Sequence, residues 1–397
     1  MNLNALKSRG YRLYLLGNVF GMNANWMLRL LMGWLAWDMT GSASYVGLIS
    51  FLNFSPVLLG GPLFGVITDR VNVRKAALAV QTVIAALAVV LLIALIFDAM
   101  STTFLAVYSV IIGLALSAYQ PVRMSLGPRL VEKDQIASVV SLGALNFNIS
   151  RLTGPALGGA MIATAGEIAT MIAVVLIYIP FIYILSRLRP REQTSVKVHP
   201  PFWRSFKDGV AFIFSNRSVW IAFVVVGAFS MVIRGVLEIL PTIADGAFHK
   251  GAAGLGTMTA MVGAGALIAS FIQVITPTAI VGRVPLRGLF GTLAGTALFL
   301  TLGVVNSWGL TLALLGGIGF CSSMVGINFQ TSVQMQLHDD IRGRVMSLWM
   351  TLAVGGTAMG ALGLGFMVEH IGLSLTFLSV GGISLVAFLA VLPRFRR

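Results

Sequence analysis

Three arginines lie inside long apolar stretches of this sequence, where a charge is costly. Arg29, Arg151 and Arg234 each fall within a run long enough to cross a bilayer. A charged side chain at that depth has to face a water-filled cavity or a polar partner, so such residues commonly mark substrate or ion pathways. The three charges predict a central cavity suited to an anionic or acidic-polar substrate. The alternatives are structural pairing, or snorkelling of Arg29 and Arg234 to the outer interface.

Polar neighbours extend this predicted cavity along two helices. Asn18, Asn25 and Arg29 are separated by seven and four residues, so they form one polar stripe on a helix. Asn148 and Arg151 place a similar polar face near the middle of another. The predicted cavity residues are Asn18, Asn25, Trp26, Arg29, Asn148, Arg151, Arg234 and Glu238.

If the protein is coupled to protons, Glu238 is the predicted coupling residue. Such coupling generally needs a membrane-embedded acid whose pKa can move into the physiological range. Glu238 is the best embedded acid in the sequence, and Asp38 lies only at the outer end of the first span. Glu238 also follows Arg234 by one helical turn and can pair with it. The alternative role of Glu238 is a static ion pair with Arg234, and the sequence favours neither role over the other.

The composition shows which elements position these residues. Of 397 residues, 57% are hydrophobic and 10% are charged, which excludes a soluble protein. Apolar runs of about 20 residues recur and predict an all-α membrane protein, not a barrel of short alternating strands. About twelve spans are predicted, at approximately 11–38, 44–67, 76–98, 102–122, 138–164, 167–188, 218–243, 252–277, 285–306, 309–332, 343–369 and 372–393.

The distribution of lysine and arginine predicts the orientation. Basic residues cluster in alternate loops and at both ends of the chain, whereas the other loops hold only Lys250. By the positive-inside rule, both termini are cytoplasmic. The net charge of +14 thus reflects topology and does not indicate a nucleic-acid partner. The predicted location is the inner membrane of a bacterium.

Residues 189–217 form the longest non-membrane segment and divide the spans six and six. "DQIASVVSL" (134–142) aligns with "DIRGRVMSL" (340–348), so the halves resemble repeats. We predict an N-terminal six-helix bundle at 1–188, a central cytoplasmic loop at 189–217 and a C-terminal bundle at 218–397. This layout is typical of transporters that rock two bundles about a midplane site. Within the loop, 202–214 is either an amphipathic helix on the inner membrane surface or a linker.

The loop "GVITDRVNVRK" (65–75) matches a family pattern. Gly65, Asp69, Arg70 and Arg74 resemble the loop 2–3 motif of the major facilitator superfamily, Gly-x-x-x-Asp-Arg-x-Gly-x-Arg/Lys. Asn72 replaces the usual glycine, and asparagine tolerates a left-handed backbone better than most residues. The stretches "NANWMLRLLMGWLAWDMTGSASYVGL" (23–48), "QPVRMSLGPRLVEKDQIASVVSL" (120–142), "SRLTGPALGG" (150–159) and "IRGRVMSL" (341–348) resemble the transmembrane secretion effector group, which includes the enterobactin exporter.

The resemblance implies a cytoplasmic gate. In this fold Asp69 would face the N-terminal end of span eleven, where free N–H groups favour an anion. The alternative is a solvated loop that obeys the positive-inside rule, which explains the arginines but not Asp69. The gate residues implied are Gly65, Asp69, Arg70, Arg74 and Arg123.

The stretch "GPALGG" indicates close helix packing. Gly154 and Gly158 are four residues apart, so they share a face that another helix can approach. Pro155 removes a backbone hydrogen bond and bends the span. In the superfamily, Gly-x-x-x-Gly-Pro-x-x-Gly-Gly marks antiporters, although Ser150 replaces the first glycine here. The packing motif comprises Gly154, Pro155, Gly158 and Gly159.

These features together predict a secondary transporter that works by alternating access. The predicted activity is proton-coupled export of a small amphiphilic or anionic molecule, such as a siderophore, drug or metabolite. The alternatives are an importer of the same fold, a lipid translocator or a non-transporting sensor. No nucleotide-binding loop, metal-ligand spacing or nucleophile–base arrangement indicates an enzyme or a cofactor. The expected partners are the substrate, the bilayer and protons, and the expected functional unit is a monomer.

Overall fold

A computed structural model describes residues 3–191, 202–276 and 285–391, and in these ranges the chain is helical with no β-strand. In a bilayer the backbone has to satisfy its own hydrogen bonds, so apolar spans become helices. The helices are α1 (Arg9–Thr40), α2 (Ala43–Arg70), α3 (Val73–Ile96), α4 (Thr102–Leu126), α5 (Ile136–Arg187), α6 (Phe202–Ser215), α7 (Arg217–Phe229), α8 (Gly251–Ile275), α9 (Leu286–Leu302), α10 (Trp308–Met335), α11 (Asp339–Ile371) and α12 (Leu373–Val391).

The predicted all-α membrane fold is confirmed. Within the described ranges, eight helices are long and apolar enough to cross a bilayer. Shorter apolar stretches lie in α2 (Ala43–Leu58) and in α9 (Leu286–Leu302). α5 contains two predicted spans, because its backbone breaks at Gly166, where φ is 82° and ψ is 177°. Only glycine adopts this conformation without a steric penalty. If α5 is counted twice and the short α6 is set aside, the described ranges contain twelve helices, the number that hydropathy predicts.

Side-chain caps explain where several helices begin. The side chain of Asn72 accepts hydrogen bonds from the backbone N–H groups of Arg74 and Lys75, at 3.1 and 3.2 Å. Its φ of −62° and ψ of 114° are extended, so the suggestion of a left-handed turn at Asn72 is wrong. Asparagine instead replaces the family's glycine as the N-cap of α3. Ser101 caps α4 in the same way.

The predicted seventh span is not one regular helix. After α7, residues Ser230–Arg234 are π-helical, and a second π-helical stretch covers Thr242–Ala247. Between them, the N–H groups of Leu237 and Glu238 bond to carbonyls three residues back. Such irregular turns within membrane helices frequently accompany functional sites.

The chain forms two compact units. The first unit contains residues 1–39, 52–198 and 250–260, and the second contains 40–51, 199–249 and 261–397. α2 and α8 therefore each contribute to both units. Inside each unit, small residues bring helix backbones into contact, since they have little or no side chain to separate them. Gly113 packs on the backbone of Asn53 in the first unit, and Gly265 packs on that of Gly316 in the second.

Candidate substrate site

The first unit contains a cluster of arginines and aromatic rings. The guanidinium carbon of Arg29, on α1, lies 4.2 Å from the centre of the Phe54 ring and 5.4 Å from that of Trp26. Arg151, on α5, lies 6.0 Å from the Trp26 ring. Aromatic faces attract cations, so these rings hold two guanidinium groups at one place.

Arg123 from α4 joins the same cluster. Its guanidinium carbon lies 5.9 Å from the Phe147 ring, and this ring packs edge-on against Trp26 at 5.8 Å. Nη1 of Arg123 also contacts the sulfur of Met22 at 3.5 Å. Its Nε is buried and has no hydrogen-bond partner among the described residues. We call Trp26, Arg29, Phe54, Arg123, Phe147 and Arg151 the arginine–aromatic cluster.

Arg123 is predicted as a gate residue, and neither Phe54 nor Phe147 is among the predicted cavity residues. Phe147 precedes Arg151 by four residues, which places the two on one helix face. That spacing was a usable signal for Phe147. Phe54 had no comparable signal, because its position beside Arg29 depends on how α2 packs against α1.

Asn18 and Asn25 hold α1 to neighbouring helices. The Tyr119 hydroxyl donates to Asn18 Oδ1 at 2.7 Å, and Asn18 is only 2% exposed. The Tyr178 hydroxyl donates to Asn25 Oδ1, also at 2.7 Å. Asn148 donates to the Ala144 carbonyl of its own helix at 3.0 Å. The participation of these three asparagines in a substrate cavity stays a prediction.

The glycines of α5 pack on two different helices. A Cβ on Gly154 would lie 2.6 Å from the Cβ of Trp26, and one on Gly158 would lie 3.4 Å from the Cα of Met27. A Cβ on Gly159 would lie 2.5 Å from the Cα of Gly256, in the part of α8 that belongs to the first unit. Pro155 lies inside the helix between them. This packing brings α5, and with it Arg151, against the Trp26 turn of α1.

Asn23, which is not among the predicted site residues, reinforces this packing. Asn23 donates to the Ser150 hydroxyl at 3.2 Å and accepts from the Thr153 hydroxyl at 2.7 Å. Ser150 occupies the position at which the family motif has its first glycine. Here the hydroxyl provides a polar contact between α1 and α5, which is favourable in a bilayer.

The second unit contains Arg234 and Glu238. Nε of Arg234 donates to the Ser322 hydroxyl of α10 at 3.3 Å, and its Nη2 lies close to Gly326. Glu238 is half-buried in the irregular stretch after the first π-helical segment, and its carbonyl accepts from the Ser50 hydroxyl at 3.5 Å. The backbone change between them alters the regular one-turn spacing that the sequence suggested.

The predicted gate residues are only partly described. α2 continues to Arg70, but the side chains of Gly65, Asp69 and Arg70 lie outside the described residues. Arg74 donates from Nη2 to the carbonyl of Ser186, which joins the start of α3 to the end of α5. The gate therefore stays a prediction.

The first unit also contains a cavity of about 430 Å³ at the ends of α1 and α8 and the break in α5. Trp34, Glu167 and Lys250 provide its polar groups, and small residues form much of the remaining wall. Nε1 of Trp34 donates to Glu167 Oε1 at 2.9 Å. The described residues contain no group of three or more histidine, cysteine, aspartate or glutamate side chains placed to hold a metal ion.

Comparison with known proteins identifies the family. Residues 2–396 match the transmembrane secretion effector family of the major facilitator type. The staphyloferrin A transporter of Staphylococcus aureus (strain NCTC 8325 / PS 47) is 23% identical over 381 residues, which cover 92% of this chain and 91% of the relative. The enterobactin exporter EntS of Shigella boydii serotype 18 (strain CDC 3083-94 / BS512) is 24% identical over 371 residues, which cover 90% of this chain and 86% of the relative.

A solved structure supports the fold. The crystal structure of the nucleoside transporter NupG superposes with a TM-score of 0.72 at 12% identity, covering 98% of this chain and 100% of that one. At this identity the likeness concerns the fold alone. The resemblance and fold class predicted from the sequence are thus confirmed. The chain belongs to the transmembrane secretion effector family of major facilitator transporters and is a multi-pass membrane protein.

Proposed function

We propose that this protein is a secondary active exporter of a small anionic amphiphile, and that the arginine–aromatic cluster binds this substrate. The observation that carries the proposal is the gathering of Arg29, Arg123 and Arg151, from three helices, around Trp26 and Phe147. Three guanidinium groups attract an anion, and the rings offer apolar surface to the rest of the ligand. Nε of Arg123 has no hydrogen-bond partner among the described residues and supplies a donor for the anion.

The relatives support the choice of the first compounds to test. One is named as a transporter of staphyloferrin A and another as an exporter of enterobactin. A siderophore is therefore the first substrate class to examine for this chain. The Gly154–Gly159 motif, which resembles the antiporter pattern, favours export over import.

We place the proton-coupling group at Glu238. Its half-buried position lies in a broken helix, where a side chain can change its surroundings more easily than in a regular turn. The competing role for Glu238 is a static pairing with Arg234.

The topology completes the proposal. The basic loops favour cytoplasmic termini in a bacterial inner membrane. In the proposed cycle, bundles at 1–188 and 218–397 rock about the cavity, and Asp69 with Arg70 stabilises the closed cytoplasmic side. The protein acts as a monomer in this proposal.

A vesicle assay tests the proposal. Inside-out vesicles containing the protein should accumulate an anionic siderophore when a pH gradient, acidic inside, is imposed, and a protonophore should abolish the uptake. Empty vesicles provide the background. Transport of cations and neutral dyes but of no anion would contradict the substrate class. Accumulation only under the opposite gradient, acidic outside, would indicate symport with protons and therefore an importer.

A further inference from the structure

One face of α6 is held firmly against α11. Asp208 Oδ2 lies 2.7 Å from Arg344 Nη1, and Ile213 is buried. A Cβ on Gly209 would lie 3.0 Å from Leu348 Cδ1, so the two helices approach closely there. These contacts determine which residues α6 presents on its other side.

The other side of α6 combines a cation with aromatic surface. Lys207 is exposed, and Phe214, seven residues later, is 64% exposed on the same helix face. The Phe214 ring stacks on Trp220 of α7 with centroids 4.6 Å apart, and Trp220 is itself 42% exposed. Arg217, at the start of α7, is exposed as well.

The connection to α7 places this surface at the edge of a membrane span. Arg217–Arg234 is apolar enough to cross a bilayer, and only Asn216 separates it from α6. The Asn216 side chain caps α7 by accepting from the N–H of Val219 at 3.2 Å. α6 therefore ends where the span begins. Tryptophan and basic residues are favoured at this level of the membrane.

We propose that α6 is an interfacial helix that binds anionic phospholipids of the surrounding bilayer. Lys207 and Arg217 contact the phosphate-bearing headgroups, while Phe214 and Trp220 lie among the upper acyl chains. Helices that lie in the membrane plane divide their polar and apolar contacts in the same way. Anionic headgroups complement the two exposed cations. Because Asp208 joins α6 to Arg344, bound lipid also holds the N-terminal part of α11.

Depth measurements on the full-length protein in nanodiscs test this proposal without any transport substrate. A nitroxide is attached at Ala211→Cys, an exposed position on the same side of α6, after Cys321→Ala removes the native thiol. The collision rates of the nitroxide with a water-soluble nickel reagent and with oxygen are measured. They are compared between discs of phosphatidylcholine alone and discs that also contain phosphatidylglycerol. We expect anionic lipid to lower nickel access and raise oxygen access, and high salt to weaken the change.

Matched variants locate the effect. Lys207→Glu should raise the fraction of phosphatidylglycerol needed for half of the change by at least roughly fivefold. Lys250→Glu makes the same charge reversal on another exposed lysine. This variant should need the same fraction of phosphatidylglycerol as the unmodified protein. Phe214→Ser should reduce the rise in oxygen access at the nitroxide. Phe290→Ser, at another exposed phenylalanine, should leave that rise unchanged.

Two outcomes overturn the proposal. One is equal nickel access in both lipid compositions, which would leave α6 available to a soluble protein partner. The other is an equal response of Lys207→Glu and Lys250→Glu, which would show a general charge effect. Neither outcome depends on the transported substrate. Lipid binding can therefore be disproved while the proposed export stands, and export can be disproved while lipid binding stands.

Discussion

The guanidinium group of Arg29 lies over the ring of Phe54, with 4.2 Å between the guanidinium carbon and the ring centre. The contact joins α1 to α2 inside the first unit, and Trp26 extends it toward Arg151 on α5. A charge that is costly in hydrocarbon is thus stabilised by aromatic faces.

Loss of one of these charges should weaken substrate binding. We expect Arg151→Ala to raise the KM for an anionic substrate roughly tenfold or more, because a hydrogen bond to a charged group is lost. Vesicle uptake at varied substrate concentration measures this change. Arg187→Ala removes an arginine that packs on Tyr183, outside the cluster, and should leave KM unchanged. Equal effects of both variants would argue against the site.

The Tyr119–Asn18 hydrogen bond should contribute to stability more than to binding. Tyr119→Phe leaves the buried Asn18 oxygen without this donor and should lower the free energy of unfolding by about 1 kcal/mol. Thermal unfolding in detergent measures this loss, and KM should not change. A raised KM with unaltered stability would instead assign Asn18 to the substrate cavity.

Gly159 should tolerate no side chain. The Cβ of Gly159→Ala would lie 2.5 Å from Gly256 Cα, so α5 and α8 have to separate. We expect a loss of about 1–3 kcal/mol in unfolding free energy, as for other overpacked sites. Gly143→Ala, on the same helix with no neighbour within 4 Å of the added carbon, should be neutral or stabilising. Similar melting temperatures for the two variants would contradict the packing.

Glu238→Gln should uncouple transport from protons. The amide cannot ionise, so uptake should lose its response to a pH gradient while substrate exchange between vesicle and medium persists. Glu132→Gln changes an exposed acid and should retain the response. A pH response that survives in Glu238→Gln would remove Glu238 from the coupling step.

Asp69→Asn should abolish or sharply reduce transport while expression remains normal. The change removes the negative charge of the predicted gate and leaves a side chain of nearly the same size. Asp98→Asn is the matched control, because Asp98 has a φ of 51°, a conformation that asparagine tolerates equally well. Wild-type rates in Asp69→Asn would show that the loop carries no gate.

The sequence by itself determined the spans, the break at Gly166 and the family. A bilayer leaves a long apolar run little choice but a helix, so local composition sufficed. Even the start of α3 was encoded locally, although Asn72 serves as a cap and not as a left-handed turn.

The tertiary structure alone decided which side chains meet. Phe54 reaches Arg29, and Tyr119 reaches Asn18, only because separate helices pack together. Tertiary contact also accompanies the irregular α7 region, where Gly235 lies against the backbone of Gly360. Hydropathy records how apolar a segment is but carries little information about which neighbour it will face, since lipid and protein interior are almost equally apolar.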